Sequence, residues 1–232
     1  MEMKTIGILG GMGWESSLEY YRILNRKIHT RMGGFHSARV LMYSFDFAEI
    51  EHLQHGGNWN EAGRLLREAA MNLENIGADC IVIATNTMHK LADEVEKRIN
   101  VPLIHIVDVT ANEIHRLNIE KVGLMGTKFT MEDDFYRIRL QEKHGIETVI
   151  PDETGRRILH ELLYDDRDLE EVIDDAREPF CGIIEGMVTQ GAQGIILGCT
   201  EIPLMIRVRD FSVPLLDTTR IHAEAAADFA LS

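Results

Sequence analysis

The strongest constraint on this chain is that it repeats itself. Residues 121–133, KVGLMGTKFTMED, echo residues 4–16, KTIGILGGMGWES. Residues 191–201, GAQGIILGCTE, echo 77–87, GADCIVIATNT, and 213–219, VPLLDTT, echo 101–107, VPLIHIV. With Gly10 set on Gly126, the three offsets are 116, 114 and 112 residues, in the same order along the chain. Ordered echoes at nearly one spacing indicate an internal duplication, here of two halves of about 110 residues. The 232 residues suffice for one large domain or two small ones.

Within each half, short apolar runs alternate with amphipathic stretches. TIGILG, ARVLMYSFDF, CIVIAT and VPLIHIV read as strands. SLEYYRILNRKIHTR, NEAGRLLREAAMNLENIG and HKLADEVEKRI carry helical spacing. This β-α alternation predicts an α/β fold with mostly parallel sheets covered by helices on both faces. The predicted domains are 1–106 plus 213–232, and 107–212, with the last helix, IHAEAAADFAL, returning to the first. The acidic run YDDRDLEEVIDDARE reads as a solvated helix face. Met71, Met187 and Met205 read as core.

A formal charge of −14 argues against nucleic acid or an anionic membrane as the main partner. No apolar run approaches the ~18 residues of a membrane span, and no signal-peptide pattern is present, so a cytoplasmic location is expected. Three cysteines without a CxxC fit a reducing compartment and argue against a disulfide framework and a structural zinc site.

In open parallel sheets, ligands bind beyond the carboxyl ends of the strands. Those ends here are Gly10–Gly13, Thr85–Thr87, Gly126–Thr127 and Gly198–Glu201. If the halves face each other, all four loops meet in one cleft, with Thr85 and Cys199 on opposite walls. Cys199, directly after the run GIILG, is a candidate base or nucleophile. Asn86, Thr87 and Thr200 offer groups that could hold a carboxylate or serve as turn and helix-cap residues. Glu201 could orient or deprotonate a neighbour, or cap a helix. The loop Gly10-Gly11-Met12-Gly13 departs from nucleotide fingerprints and better suits a small anion at the N–H groups of Met12 and Gly13. Cys80 and Cys181 read as structural, as do His89 and His105, and the histidines show no metal spacing.

The pieces GILGGMGWESS, ATNTMHK, PLIHI, LMGTKFTMEDDFY, GAQGIILGCTEI and LLDTTRIHAE, taken together, resemble the aspartate/glutamate racemases, which need no cofactor. The likeness is greatest to the branch with Thr-Asn-Thr-Met-His in the first half, the amino-acid or L-aspartate/glutamate-specific racemases. The resemblance implies two pseudo-symmetric Rossmann-like α/β domains, an active site in the cleft between them, and a homodimer. It implies a two-base mechanism in which one thiolate removes the Cα proton and the opposite thiol returns one, without pyridoxal phosphate or metal. By motif matching, Thr85 and Cys199 take the two catalytic positions. Met12, Gly13, Gln54, Asn86, Thr87, Thr127, Thr200 and Glu201 match substrate-contacting or supporting positions.

Thr85 stands where the family's usual motif has Cys. A Thr hydroxyl is no standing base near neutral pH, whereas a Cys thiol has a pKa of about 8.5. One-sided chemistry is therefore expected, faster from one enantiomer. A substrate side-chain carboxylate would want a cation, for which Arg156, Arg157 and Arg167 are candidates; a neutral side chain such as that of homoserine would not. Two other readings stay open on the residues alone: a single-thiol decarboxylase or isomerase of the same superfamily, and a non-catalytic amino-acid-binding protein.

Overall fold

The structure, a computed structural model, describes residues 2–164, 169–206 and 211–232. The side chains of 169–174 and of 204 also lie outside that description, and with them most of the acidic run and all of Arg167. The chain forms two compact units, Met1–Ile106 with Thr219–Ser232, and Val107–Thr218.

The first unit opens with strand β1 (Ile6–Gly10), helix α1 (Trp14–Met32), strand β2 (Val40–Ser44), helices α2 (Phe47–His55) and α3 (Trp59–Asn75), and strand β3 (Cys80–Ile83). The strands are parallel in the order β2-β1-β3. β1 is buried along its whole length, which is why it reads as a near-continuous apolar run. One face carries α3, whose Leu66, Ala69, Ala70 and Leu73 recur at three- and four-residue spacing and meet Leu9, Ile81 and Ile83. Ile6, Ile8 and Val82 pack on the other face with Tyr20, Leu24 and Ile28 of α1.

Three expectations need correction here. The segment 101–107 forms only a single bridge, Leu103 to Ile81, because helix α5 (Ile106–Arg116) starts before a strand can extend. The helix expected over HKLADEVEKRI is a 3₁₀ turn (Thr87–Leu91) followed by the one-and-a-half-turn helix α4 (Ala92–Glu96). Met71, expected in the core, is exposed on α3.

The second unit continues with β4 (Lys121–Gly126), α6 (Lys128–Glu132), α7 (Asp134–Ile138), a π-helical turn (Arg139–Lys143) and β5 (Glu147–Val149). Then come α8 (Glu153–Leu163), α9 (Leu169–Thr189), β6 (Gly194–Gly198), α10 (Ile202–Met205) and β7 (Leu215–Asp217). The sheet is again parallel, in the order β5-β4-β6-β7. Within each unit the glycine-loop strand thus pairs with the strand carrying the second echoed motif: β1 with β3, and β4 with β6. β7 pairs with β6, so residues 215–217 belong to the second sheet and the chain returns to the first unit after Thr218, not at 213. Leu215 and Leu216 are buried there as the sheet's last strand. Helix α11 (Thr218–Ala230) then lays Ala223, Ala226, Ala227 and Ala230 on the β1–β3 face that α1 also covers. No described helix is long and apolar enough to cross a membrane.

Candidate active site

Register places the first unit's motifs side by side. Leu9 pairs with Ile83, and the Ala84 N–H donates to the Leu9 carbonyl at 2.9 Å, so the glycine loop after β1 runs beside Thr85. That loop is tightly held. The Gly11 N–H donates to Ser17 Oγ at 2.8 Å, and the Phe45 N–H donates to the Gly10 carbonyl at 3.0 Å. Gly11 has φ +84°, and a Cβ there would lie 2.3 Å from the Phe45 carbonyl oxygen, so no other residue fits. Met12 is buried, and Gly13, in extended conformation, precedes the first turn of α1.

Thr85 is half-buried, while Asn86 and Thr87 are buried beside it. Gln54 on α2 is also buried, its Nε2 2.9 Å from Met88 Sδ, just behind this turn. His89 fixes the main chain of Thr85. Its Nδ1 lies 2.8 Å from the Thr85 carbonyl, and its Nε2 3.2 Å from the Ile106 N–H. A backbone N–H can only donate, so Nε2 accepts and the ring proton sits on Nδ1, donated to Thr85. Behind His89, the rings of His105 and His222 make edge contacts at 4.8 and 5.5 Å between centroids. His222 bonds the Ile104 carbonyl through Nε2 (2.6 Å) and Tyr20 Oη through Nδ1 (2.7 Å). Burial lowers its pKa to about 4, so it is neutral at physiological pH. The positioning part of His89 is legible in retrospect as a histidine four residues after Thr85. The link from Tyr20 through His222 spans 202 residues and has no local signal.

In the second unit Gly126 pairs with Gly198, which places Thr127 and Cys199 side by side, one residue beyond the sheet. Neither glycine leaves room for a Cβ: one at Gly198 would lie 2.6 Å from the Met125 carbonyl. Thr127 caps α6, its Oγ1 accepting from the Thr130 N–H at 3.3 Å. Cys199 is half-buried. The thiol donates to Glu201 Oε2 at 2.7 Å, and Thr200 Oγ1 donates to the same oxygen at 2.9 Å. Burial pushes the thiol pKa well above its ordinary value, and the charge and hydrogen bond of Glu201 push it further. The backbone N–H groups of Glu201 and Thr200 act in the opposite sense, because they favour the thiolate. Cys199 therefore rests as a thiol whose proton already points at a carboxylate, with amide donors in place for the anion once that proton moves.

The candidate side-chain cations fare differently. Arg156 donates to Glu132 Oε1 and the Pro151 carbonyl, both at 2.7 Å, so it is committed to a structural bridge. Arg157 pairs with Glu161 on the exposed surface of α8. Arg167 lies outside the described residues. Cys80 is buried on β3, where burial and Asp79 raise its pKa to about 12, as suits a structural thiol. Among the described residues, no group of three or more His, Cys, Asp or Glu side chains could hold a metal ion.

Comparison with known proteins bears on this arrangement. The sequence profile of the Asp/Glu/Hydantoin racemases matches residues 9–226. A crystal structure of a Yersinia pestis protein described as an Asp/Glu racemase is 49% identical, covers 99% of this chain and 100% of its own, and superposes with a TM-score of 0.92. An aspartate racemase homologue from Pyrococcus horikoshii is 33% identical over 99% of this chain and 100% of its own, with a TM-score of 0.81. The broad specificity amino-acid racemase RacX of Bacillus subtilis is 22% identical over 98% of both chains. The match spans both units and every motif described above, and the chain belongs to the Asp/Glu/Hydantoin racemase family.

Proposed function

We propose that this protein racemises an acidic amino acid, aspartate or glutamate, with Cys199 and Thr85 at the two proton-handling positions. The observation that carries this reading is the Cys199 thiol donating to Glu201 beside two amide donors. That is the arrangement of a thiol that becomes a base only when its proton is taken. Glu201 accepts the thiol proton, the thiolate removes the proton from Cα, and the electron pair of the broken C–H bond delocalises into the α-carboxylate. Reprotonation from the opposite face is assigned to Thr85, whose hydroxyl donates as it takes a proton from water. Met12, Gly13, Asn86, Thr87 and Thr127 are assigned to binding the substrate's α-carboxylate and amino group, and Gln54 to supporting that wall.

Proton NMR in deuterated water tests the assignment, with L- and D-aspartate, glutamate and homoserine as separate substrates. The Cα proton signal should vanish for both enantiomers of the true substrate, faster for one. Cys199→Ala should slow exchange by about 10²- to 10⁴-fold. Thr85→Val should retain exchange on the Cys199 side while chiral chromatography shows inversion lost. Exchange unaffected by Cys199→Ala, or none with any of these amino acids, would overturn the proposal.

A further inference from the structure

The packing behind Thr85 carries more polar groups than a core needs. Helix α11 lays Ala223, Ala226, Ala227 and Ala230 on the first sheet, yet His222, four residues before Ala226 on the same face, is fully buried with them. A buried imidazole is costly unless its nitrogens are bonded. Both are. The Ile104 carbonyl can only accept, so His222 Nε2 donates to it, and in the neutral ring Nδ1 accepts from the Tyr20 hydroxyl. Tyr20 is itself fully buried on α1, its ring at 89° to the imidazole.

Two residues beyond Ile104, the Ile106 N–H donates to His89 Nε2, and His89 Nδ1 donates to the Thr85 carbonyl. Two imidazoles of opposite tautomer thus grip the segment 104–106, one through a carbonyl and the other through an N–H. The Ile104 N–H donates to the Ile81 carbonyl at 2.9 Å, which joins the same segment to β3, the strand that leads into Thr85. Tyr20 is therefore linked to Thr85 by four hydrogen bonds of 2.6–3.2 Å, all within the first unit. The Thr85 hydroxyl rides on the main chain that these bonds hold, and a misplacement of ~1 Å near reacting atoms can cost ~10²-fold in rate.

We infer that Tyr20 and His222 are positioning residues for Thr85: through Ile104–Ile106 and His89 they hold its hydroxyl where it returns a proton to Cα. The inference rests on the racemase reading above and extends the Thr85 side of the reaction to two fully buried residues on α1 and α11.

The fate of one carbanion tests it. In deuterated water, the enantiomer that exchanges faster gives a carbanion that takes deuterium from the Cys199 side, which regenerates the starting enantiomer, or from the Thr85 side, which gives its mirror image. The early ratio of mirror image to returned deuterated product, read by NMR and chiral chromatography, depends neither on how much protein is folded nor on how fast the first proton leaves. Tyr20→Phe keeps the ring and removes one hydroxyl; it should lower the ratio about 3- to 10-fold, the worth of one neutral hydrogen bond. Where wild type gives no returned product, its appearance in the variant is the same result. His222→Gln, which keeps a donor for Ile104, should retain more of the ratio than His222→Leu. A ratio unchanged in Tyr20→Phe, or equal in His222→Gln and His222→Leu, would overturn the inference even if turnover falls, since a purely stabilising tie lowers both products together. If wild type exchanges no Cα proton at all, the racemase reading fails by itself. The carbon-13 signal of the Thr85 carbonyl then decides the positioning: a shift in Tyr20→Phe upholds it, and an unchanged signal overturns it.

Discussion

Glu201→Gln isolates the electrostatic part of the Cys199 site. The thiol pKa is raised by burial first, then by the Glu201 charge and its hydrogen bond, against the opposing effect of two backbone N–H groups. Glutamine removes the charge while keeping an oxygen that can accept the thiol proton. Two unit charges ~4 Å apart interact by ~4 kcal/mol at an effective dielectric of ~20. The thiol pKa should therefore fall in Glu201→Gln, because one of the causes that raise it is removed. Iodoacetamide alkylation across pH, read at the Cys199 peptide by mass spectrometry, measures this directly; Cys80, with its pKa of about 12, stays silent. Racemisation should nevertheless slow, because no carboxylate remains to take the proton. A thiol pKa that rises or stays constant would refute the reasoning, and so would a variant that turns over as fast as wild type.

Two further predictions concern the first unit. His222 is held at a pKa of about 4 in the fold against about 6.5 when unfolded, so between these values the unfolded chain binds the extra proton. Its contribution to stability is complete above pH 6.5 and declines by about 3 kcal/mol as the pH falls to 4; urea unfolding at several pH values should show a shallower acid-side loss in His222→Gln, and an unchanged one would contradict the assignment. Gly11→Ala forces a positive φ and a Cβ contact of 2.3 Å with the Phe45 carbonyl. It should cost about 2–4 kcal/mol in denaturant unfolding, and a cost under about 0.5 kcal/mol would show that the loop accommodates the methyl group.

Much of this was legible before any coordinates. The echoed glycine and Thr/Cys motifs mark the strand ends, because buried parallel strands read as apolar runs and their carboxyl ends carry the polar residues. Helices such as α3 are visible because Ala62, Leu66, Ala69 and Leu73 repeat at helical spacing. The third echo misleads. VPLIHIV and VPLLDTT are alike in sequence, but only the second holds a strand, since α5 begins at Ile106 whereas Leu215–Asp217 completes a sheet. The commitment of Arg156 to Glu132 and the buried tie from Tyr20 to His222 depend on residues distant in sequence, and no local pattern encodes them. That the Cys199 thiol reaches Glu201 follows from the turn geometry after β6, which the letters Gly-Cys-Thr-Glu suggest but do not determine.

The duplicated strand ends have diverged in one respect that matters for the proposed reaction. After β6, the Cys199 thiol donates directly to the Glu201 carboxylate. After β3, the carbonyl of Thr85 is pinned by a histidine whose tautomer is already determined. Protonating His89 at Nε2 would set a new N–H against the Ile106 N–H, so this ring is built to hold a position and not to carry a proton. Thr85 therefore has a rigid main chain and a hydroxyl far too weak to be a base at neutral pH. In the proposed mechanism, abstraction by the Cys199 thiolate is the favoured start, and the reverse direction runs the same steps backward from the Thr85 side. Microscopic reversibility still applies. For enantiomers the equilibrium constant is one, so kcat/KM must be equal in the two directions, and the asymmetry of the walls can appear only as unequal kcat values balanced by equally unequal KM values. Apparent one-way action by such a protein would thus be a statement about saturation, with the slow direction also the more tightly bound one.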